Sequence, residues 1–178
     1  GSTVIAVDPW AAAMARLRRK LELLGLQNVV LLEQDIGAAD LPAASVDLVV
    51  SNLGLNNFEH ADEAMRAVFR AAKPGARLHL ATNLCGHMAE FYEVYRATLV
   101  ELGLEDRLPV LEQHVRRRGT VESVAGVLEG AGFELLETET SSFRMRFADG
   151  SALLRHAFIR LAFLPGWASV VAEEDRPE

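Results

Sequence analysis

The sequence predicts an α/β protein with a doubly wound, mainly parallel sheet. Three observations carry that expectation. The apolar runs Thr3 to Val7, Val29 to Leu32 and Val46 to Ser51 lack the polar alternation of a one-sided strand, so they suit strands covered on both faces. Segments with apolar residues three and four apart follow them, as amphipathic helices require. Turn-forming residues separate the two kinds of segment, and strands alternating with helices demand right-handed crossovers.

The elements follow in chain order. Asp8-Pro9 ends the first run, and proline suits the first turn of a helix in which Met14, Leu17, Leu21 and Leu24 share a face and Gly25 is the stop. Val29 to Leu32 is a second strand, closed by Gln34-Asp35 and an irregular stretch through Pro42. Val46 to Ser51 is a third, followed by a loop from Asn52 to His60. Ala64, Met65, Val68, Phe69 and Ala72 form the next helical face, and Lys73-Pro74-Gly75 should terminate it before a fourth strand at Arg77 to Thr82. Met88, Phe91, Tyr92, Tyr95, Leu99 and Leu102 mark a helix running to Gly103. Thr120 is positioned to cap a shorter helix ending at Gly130 to Gly132. Phe133 to Thr138 reads as a fifth strand, which the alternating Phe143 to Phe147 would extend. Asp149 should cap a last helix containing Leu154, Ala157, Phe158 and Leu161, stopped by Pro165-Gly166.

Half of the 178 residues are apolar, enough for one buried core, so a single domain spanning 1–178 is expected. Within it, 87–120 reads as an inserted cap and 143–167 as a helical segment on the substrate side. The formal charge of −7 argues against a nucleic-acid binder, and Arg116-Arg117-Arg118 reads as a short solvated patch. Cys85 is the only cysteine, so neither an intrachain disulfide nor a Cys-x-x-Cys metal or redox site can form, and a reducing cytoplasm fits best. No run approaches the roughly 18 apolar residues of a membrane span.

Ligands of open parallel sheets bind beyond the carboxyl ends of the strands. Here those positions are Asp8, Asp35, the loop from Ser51 to Asn57, and Thr82-Asn83. A carboxylate such as Asp8 can accept both hydrogen bonds of a ribose diol, and Pro9-Trp10 can lie against an adenine face. Asp8 is equally suited to cap the helix that follows it.

Val4-Ile5-Ala6-Val7-Asp8, Leu31-Leu32-Glu33-Gln34-Asp35-Ile36, Ser45-Val46-Asp47-Leu48-Val49-Val50-Ser51-Asn52 and Lys73-Pro74-Gly75-Ala76-Arg77-Leu78 occur in an order that resembles the class I S-adenosylmethionine (SAM) dependent methyltransferases. The likeness is greatest to the small-molecule group that includes the quinone-biosynthesis enzymes. It covers residues 3 to about 84 and, more loosely, the chain from Gly132-Phe133. The resemblance implies a Rossmann-like sheet and SAM as cofactor. Asp8 would bind the ribose hydroxyls, Asp35 the adenine amino group, and the Ile36 backbone an adenine ring nitrogen. Asn52, Leu53 and Gly54 would line the methyl-transfer region.

Asn56-Asn57 stands where relatives often carry a His-His pair, which weakens the case for imidazole base catalysis, and no catalytic residue is assigned. His60 and His87 are candidate polar lining residues, although a structural role is the commoner one for such histidines. The Phe91, Tyr92, Tyr95 stripe favours core packing over a substrate wall, and Asp47 reads as a turn residue rather than a ligand. The resemblance further implies a first strand and glycine-rich turn for the cofactor's methionine end, which are not seen before Thr3. Gly130-Ala131-Gly132 cannot replace them because it follows a helix. A final antiparallel strand is not evident after Trp167 either, so both ends look cut.

The expected activity is methyl transfer to a small, partly apolar acceptor by in-line displacement. Such chemistry needs alignment and dryness more than a conspicuous catalytic cluster. A nicotinamide-dependent oxidoreductase is the competing enzyme class, and a non-catalytic SAM-fold binding protein the third reading. A dimer is compatible with the sequence, which does not dictate the oligomeric state.

Overall fold

The computed structural model describes residues 1–173, so the acidic residues 174–178 lie outside it. The chain divides into two compact units. One comprises Gly1–Thr82 with Glu122–Leu135, and the other comprises Asn83–Val121 with the chain from Leu136 onward.

In the first unit, β1 (Val4–Val7) crosses through α1 (Ala11–Leu24) to β2 (Val29–Leu32), and the two strands pair in parallel with Val4 opposite Val29 and Val7 opposite Leu32. The stop after α1 is Gly25, whose φ of 63° lies in the left-handed region that glycine enters without steric cost. A second parallel pair joins β3 (Val46–Asn52) to β4 (Ala72–Ala81) through α2 (Ala61–Ala71). The four strands do not merge into one sheet: β1 is hydrogen-bonded to β2 alone and β3 to β4 alone among the described residues. Val4, Ile5, Leu48 and Val50 are accordingly exposed rather than covered.

α2 stops at Ala71, just ahead of Lys73-Pro74-Gly75 as expected, but the fourth strand begins earlier than Arg77. Lys73, Pro74 and Gly75 belong to β4, which starts directly after α2 at Ala72. The pairing jumps from Val46–Ala72 to Leu48–Arg77, so Lys73 to Ala76 bulge from the ladder, and Gly75 supplies the positive φ of 79°. Asp47 sits in β3 rather than in a turn, paired to Lys73. The core of this unit is Leu55, Ala64, Met65, Val68, Leu128 and Ala131, the last two from α5 (Val121–Ala131), with Ile36, Val49, Leu78 and Leu80 packed against it.

Phe133 to Thr138 and Phe143 to Phe147 form no strand. A strand requires a partner edge, and the apolar content of these segments is spent differently. Phe133 packs edge-on to Phe69, Phe147 joins the helical core of the second unit, and Leu136 and Phe143 are exposed.

The second unit is helical. α3 (Ala89–Glu101) and α4 (Leu108–Val115) pack with three short helices, α6 (Gly150–Arg155), α7 (Ala157–Ala162) and α8 (Leu164–Ala168). The single last helix read from the sequence is thus broken. His156 takes an extended backbone conformation, and Pro165 opens α8 instead of closing its predecessor. The buried face also differs from the expected one: Ile159, Phe163, Trp167 and Val170 are buried, whereas Leu154, Phe158 and Leu161 are exposed. Asp149 does cap α6, accepting from the Ala152 N–H at 2.7 Å. Met88, Phe91, Tyr92, Tyr95 and Leu99 pack in this core, while Leu102 points to solvent.

Candidate functional site

Parallel pairing puts the carboxyl ends of β1 and β2 side by side, and the Asp8 N–H donates to the Leu32 carbonyl at 3.2 Å, extending the ladder by one residue. Asp8 is exposed at that end, with Asp35 three residues beyond β2. Each carboxylate uses one oxygen locally. Asp8 Oδ1 accepts the Trp10 N–H at 2.8 Å, and Asp35 Oδ1 accepts the Gly37 N–H at 2.7 Å, capping a 3₁₀ turn over Ile36–Ala38. A carboxylate has lone pairs to spare after one such bond, so both retain acceptor capacity toward hydroxyl or amino donors. Trp10, at the start of α1, makes no side-chain cap and leaves its indole largely exposed beside Pro9.

At the matching end of the second pair, Asn52 lies opposite Ala81. Leu53 then turns with φ 61°, its N–H donating to the Ala81 carbonyl at 2.8 Å and its own carbonyl accepting from Asn57 Nδ2 at 3.0 Å. A non-glycine residue in this conformation is held there by its surroundings and is a reason to look for function. A Cβ at Gly54 would stand 2.8 Å from Ser51 Oγ, so a side chain there would have to displace that hydroxyl. The side chain of Ile36, just past β2, packs into the core that β3 and β4 line, which ties the two strand-end loops to one hydrophobic cluster. The strand ends thus carry two exposed carboxylates with spare acceptor capacity, an exposed indole and a tightly turned backbone loop.

His60 is exposed before α2. His87 belongs to the second unit, stacked on Phe163 with ring centroids 5.5 Å apart. Among the described residues no group of three or more His, Cys, Asp or Glu is arranged to hold a metal ion. No described helix is long and apolar enough to cross a membrane.

One cluster was not foreseen. Arg118, read with its neighbours as a solvated patch, is half-buried against Tyr92: its Nη1 donates to the Tyr92 hydroxyl at 3.3 Å, and its guanidinium carbon stands 6.0 Å from the ring centroid. The same hydroxyl accepts from Trp167 Nε1 at 3.2 Å. Burial first, and the Arg118 charge second, hold His87 and His114 below the ordinary imidazole range, with Arg117 adding to the effect on His114. No spacing signals this cluster, because its members come from α3, α4, α8 and two loops.

Residues 1–80 match a family model described as a methyltransferase domain. The ubiquinone/menaquinone biosynthesis C-methyltransferase UbiE of Salmonella arizonae is 25% identical over 144 residues, covering 75% of this chain and 57% of that protein. The chain thus spans little more than half the length of that curated relative. A putative methyltransferase from Bacillus halodurans superposes with a TM-score of 0.56 at 23% identity, over 76% of this chain and 55% of that one. An S-adenosylmethionine dependent methyltransferase from Mesorhizobium loti gives 0.56 at 20% identity, over 99% of this chain and 77% of that one. At these identities the superpositions establish the Rossmann-like α/β fold.

Proposed function

We propose that this chain, which carries a class I SAM-dependent methyltransferase domain, transfers the methyl group of SAM to a small, partly apolar acceptor by in-line displacement. The observation that carries the reading is the location of Asp8, Asp35 and Asn52 to Gly54 at the carboxyl ends of parallel strands that share one compact unit. On this reading the remaining acceptor capacity of Asp8 receives the ribose hydroxyls, and Asp35 receives the adenine amino group. Pro9 and Trp10 cover the adenine face, and the Ile36 backbone meets a ring nitrogen. Asn52, Leu53 and Gly54 border the methyl-transfer region.

SAM, when bound, supplies a methyl group on a sulfonium leaving group, so the protein's task is alignment and exclusion of water. The strained turn at Leu53 serves that task by fixing the loop backbone.

Residues 87–120 and 143–167 are proposed to shape the acceptor site, since they hold the aromatic surplus outside the nucleotide-binding elements. The quinone-biosynthesis role in the name of the Salmonella arizonae relative supports an acceptor with an apolar ring. Calorimetric titration of the complete protein with SAM, S-adenosylhomocysteine and NAD tests the assignment. Binding of the adenosyl ligands without NAD is expected, and binding of NAD alone would overturn it. Replacing 87–120 with the corresponding segment of a relative should change acceptor choice and leave SAM affinity unaltered.

A further inference from the structure

We infer that Asn57 is a positioning residue for the proposed methyl transfer: its side-chain amide clips the turn that follows β3 and so sets the backbone of Leu53 and Gly54. The inference rests on the methyltransferase reading, which places those two residues against the cofactor, and adds to it the group that holds them.

The positive φ of this turn falls on Leu53, at 61°. Gly54 beside it, which could take such a conformation freely, has an ordinary right-handed backbone with φ −74° and ψ −41°. A leucine stays in the left-handed region only where its contacts outweigh the steric cost. The Leu53 N–H donates to the Ala81 carbonyl at 2.8 Å, a main-chain bond that any sequence could make. The Leu53 carbonyl, by contrast, is met by a side chain, with Asn57 Nδ2 donating to it at 3.0 Å. The Asn57 N–H donates to the next carbonyl, that of Gly54, at 2.8 Å. One residue thus pins two successive carbonyls. A peptide unit is planar and trans, so pinning the Leu53 carbonyl toward Asn57 turns the Gly54 N–H the opposite way. The directions of these main-chain groups are what a ligand at the carboxyl end of β3 would meet.

The clip is separate from what anchors the loop to the fold. Asn57 is exposed, whereas Leu55 is buried in the core of this unit and Phe58 packs against it. Removing the amide leaves those anchors in place and frees the Leu53 peptide to relax from its left-handed conformation. The chemistry required at position 57 is narrow. Aspartate has the shape of asparagine but, when ionised, offers only acceptors, so it would face the Leu53 carbonyl with no donor. A neutral histidine can carry an N–H at Nδ1, as far along the side chain as asparagine's Nδ2.

The test titrates S-adenosylhomocysteine and adenosine into the complete protein at about pH 8, where imidazole is neutral, and follows thermal unfolding in parallel. Asn57→Ala and Asn57→Asp should weaken S-adenosylhomocysteine binding by about three- to tenfold, the scale of one hydrogen bond. Adenosine affinity and melting temperature should stay unchanged, because the methyltransferase reading gives the nucleoside to Asp8 and Asp35. Asn57→His should restore most of the lost affinity. In a Leu53→Gly background, where glycine enters the left-handed region without steric cost, Asn57→Ala should cost less than in the wild type. Full S-adenosylhomocysteine affinity in Asn57→Ala and Asn57→Asp would overturn the inference. So would a parallel loss of both ligands with a lower melting temperature, which is the mark of a structural role. Asn57→His binding no better than Asn57→Asp, or an undiminished cost in the Leu53→Gly background, would equally overturn it. If the wild type binds neither ligand, the methyltransferase reading falls and the inference with it. If the wild type binds both and the Asn57 variants match it, the inference alone falls.

Discussion

The ring of Phe69 occupies the space that a side chain at Gly132 would need: a Cβ there would lie 2.7 Å from Phe69 Cζ and 2.8 Å from Cε1. Gly132 ends α5 with φ 110°, a conformation that L side chains rarely adopt. Gly132→Ala should therefore destabilise the protein by about 1–3 kcal/mol, measured by chemical denaturation. Adding Phe69→Ala should relieve the clash but leave the backbone strain. A Gly132→Ala variant as stable as wild type would show that α5 can end in another way.

Asp8 is suited to two roles, and a pair of substitutions separates them. Its Oδ1 holds the Trp10 N–H, a bond that Asp8→Asn preserves, whereas the charge that would favour two ribose hydroxyls is lost. Asp8→Asn and Asp8→Ala should both weaken S-adenosylhomocysteine binding by about 1.5–3 kcal/mol, the scale for hydrogen bonds to a charged group. Thermal unfolding should change little in Asp8→Asn. Full affinity in Asp8→Asn would leave Asp8 as a turn residue alone. Asp35→Ala should likewise weaken adenosyl binding with the fold intact, since it gives up only the bond to Gly37 at an exposed turn.

Tyr92→Phe isolates a buried hydrogen-bond acceptor. Trp167 is 3% exposed, and its indole N–H would lose the phenol oxygen it now meets. A cost of about 1–3 kcal/mol is expected, because an unsatisfied buried donor retains its desolvation penalty. A near-neutral result in denaturant unfolding would mean that the indole finds another acceptor.

The histidines predict a direction with pH. Both His87 and His114 lie below the ordinary imidazole value of 6.5 in the folded protein, through burial first and Arg118 second. The unfolded chain then binds more protons in the acid range. Their contribution to stability is fully present above about pH 6.5 and is lost as pH falls through that value toward the folded-state pKa values. Melting temperature should fall on acidification from about pH 7.5 to about pH 5.5, and His87→Gln with His114→Gln should flatten that fall. An identical slope in the double variant would assign the effect to other groups.

Local pattern alone placed β1, β2, β3, α1, α2, α3 and α5, because helical periodicity and glycine stops depend on residues near in sequence. The family motifs likewise placed Asp8, Asp35 and Asn52 to Gly54 at the strand ends, where the structure has them. Tertiary structure decided what depends on partners. Phe133 to Thr138 and Phe143 to Phe147 have strand-like composition but pair with no strand, and Phe133 and Phe147 are instead drawn into different cores. The bulge at Lys73 to Ala76 arises where α2 passes directly into β4, and only the register against β3 reveals it. The last helical segment breaks at His156, and its pieces bury Ile159, Phe163 and Trp167 rather than the face that an unbroken helix would present. Arg118 belongs to a basic run by sequence and to an aromatic cluster by packing, because Tyr92 and Trp167, distant along the chain, meet there. Periodicity is a property of neighbours in the chain; pairing, register and the partners of a buried charge are properties of neighbours in space.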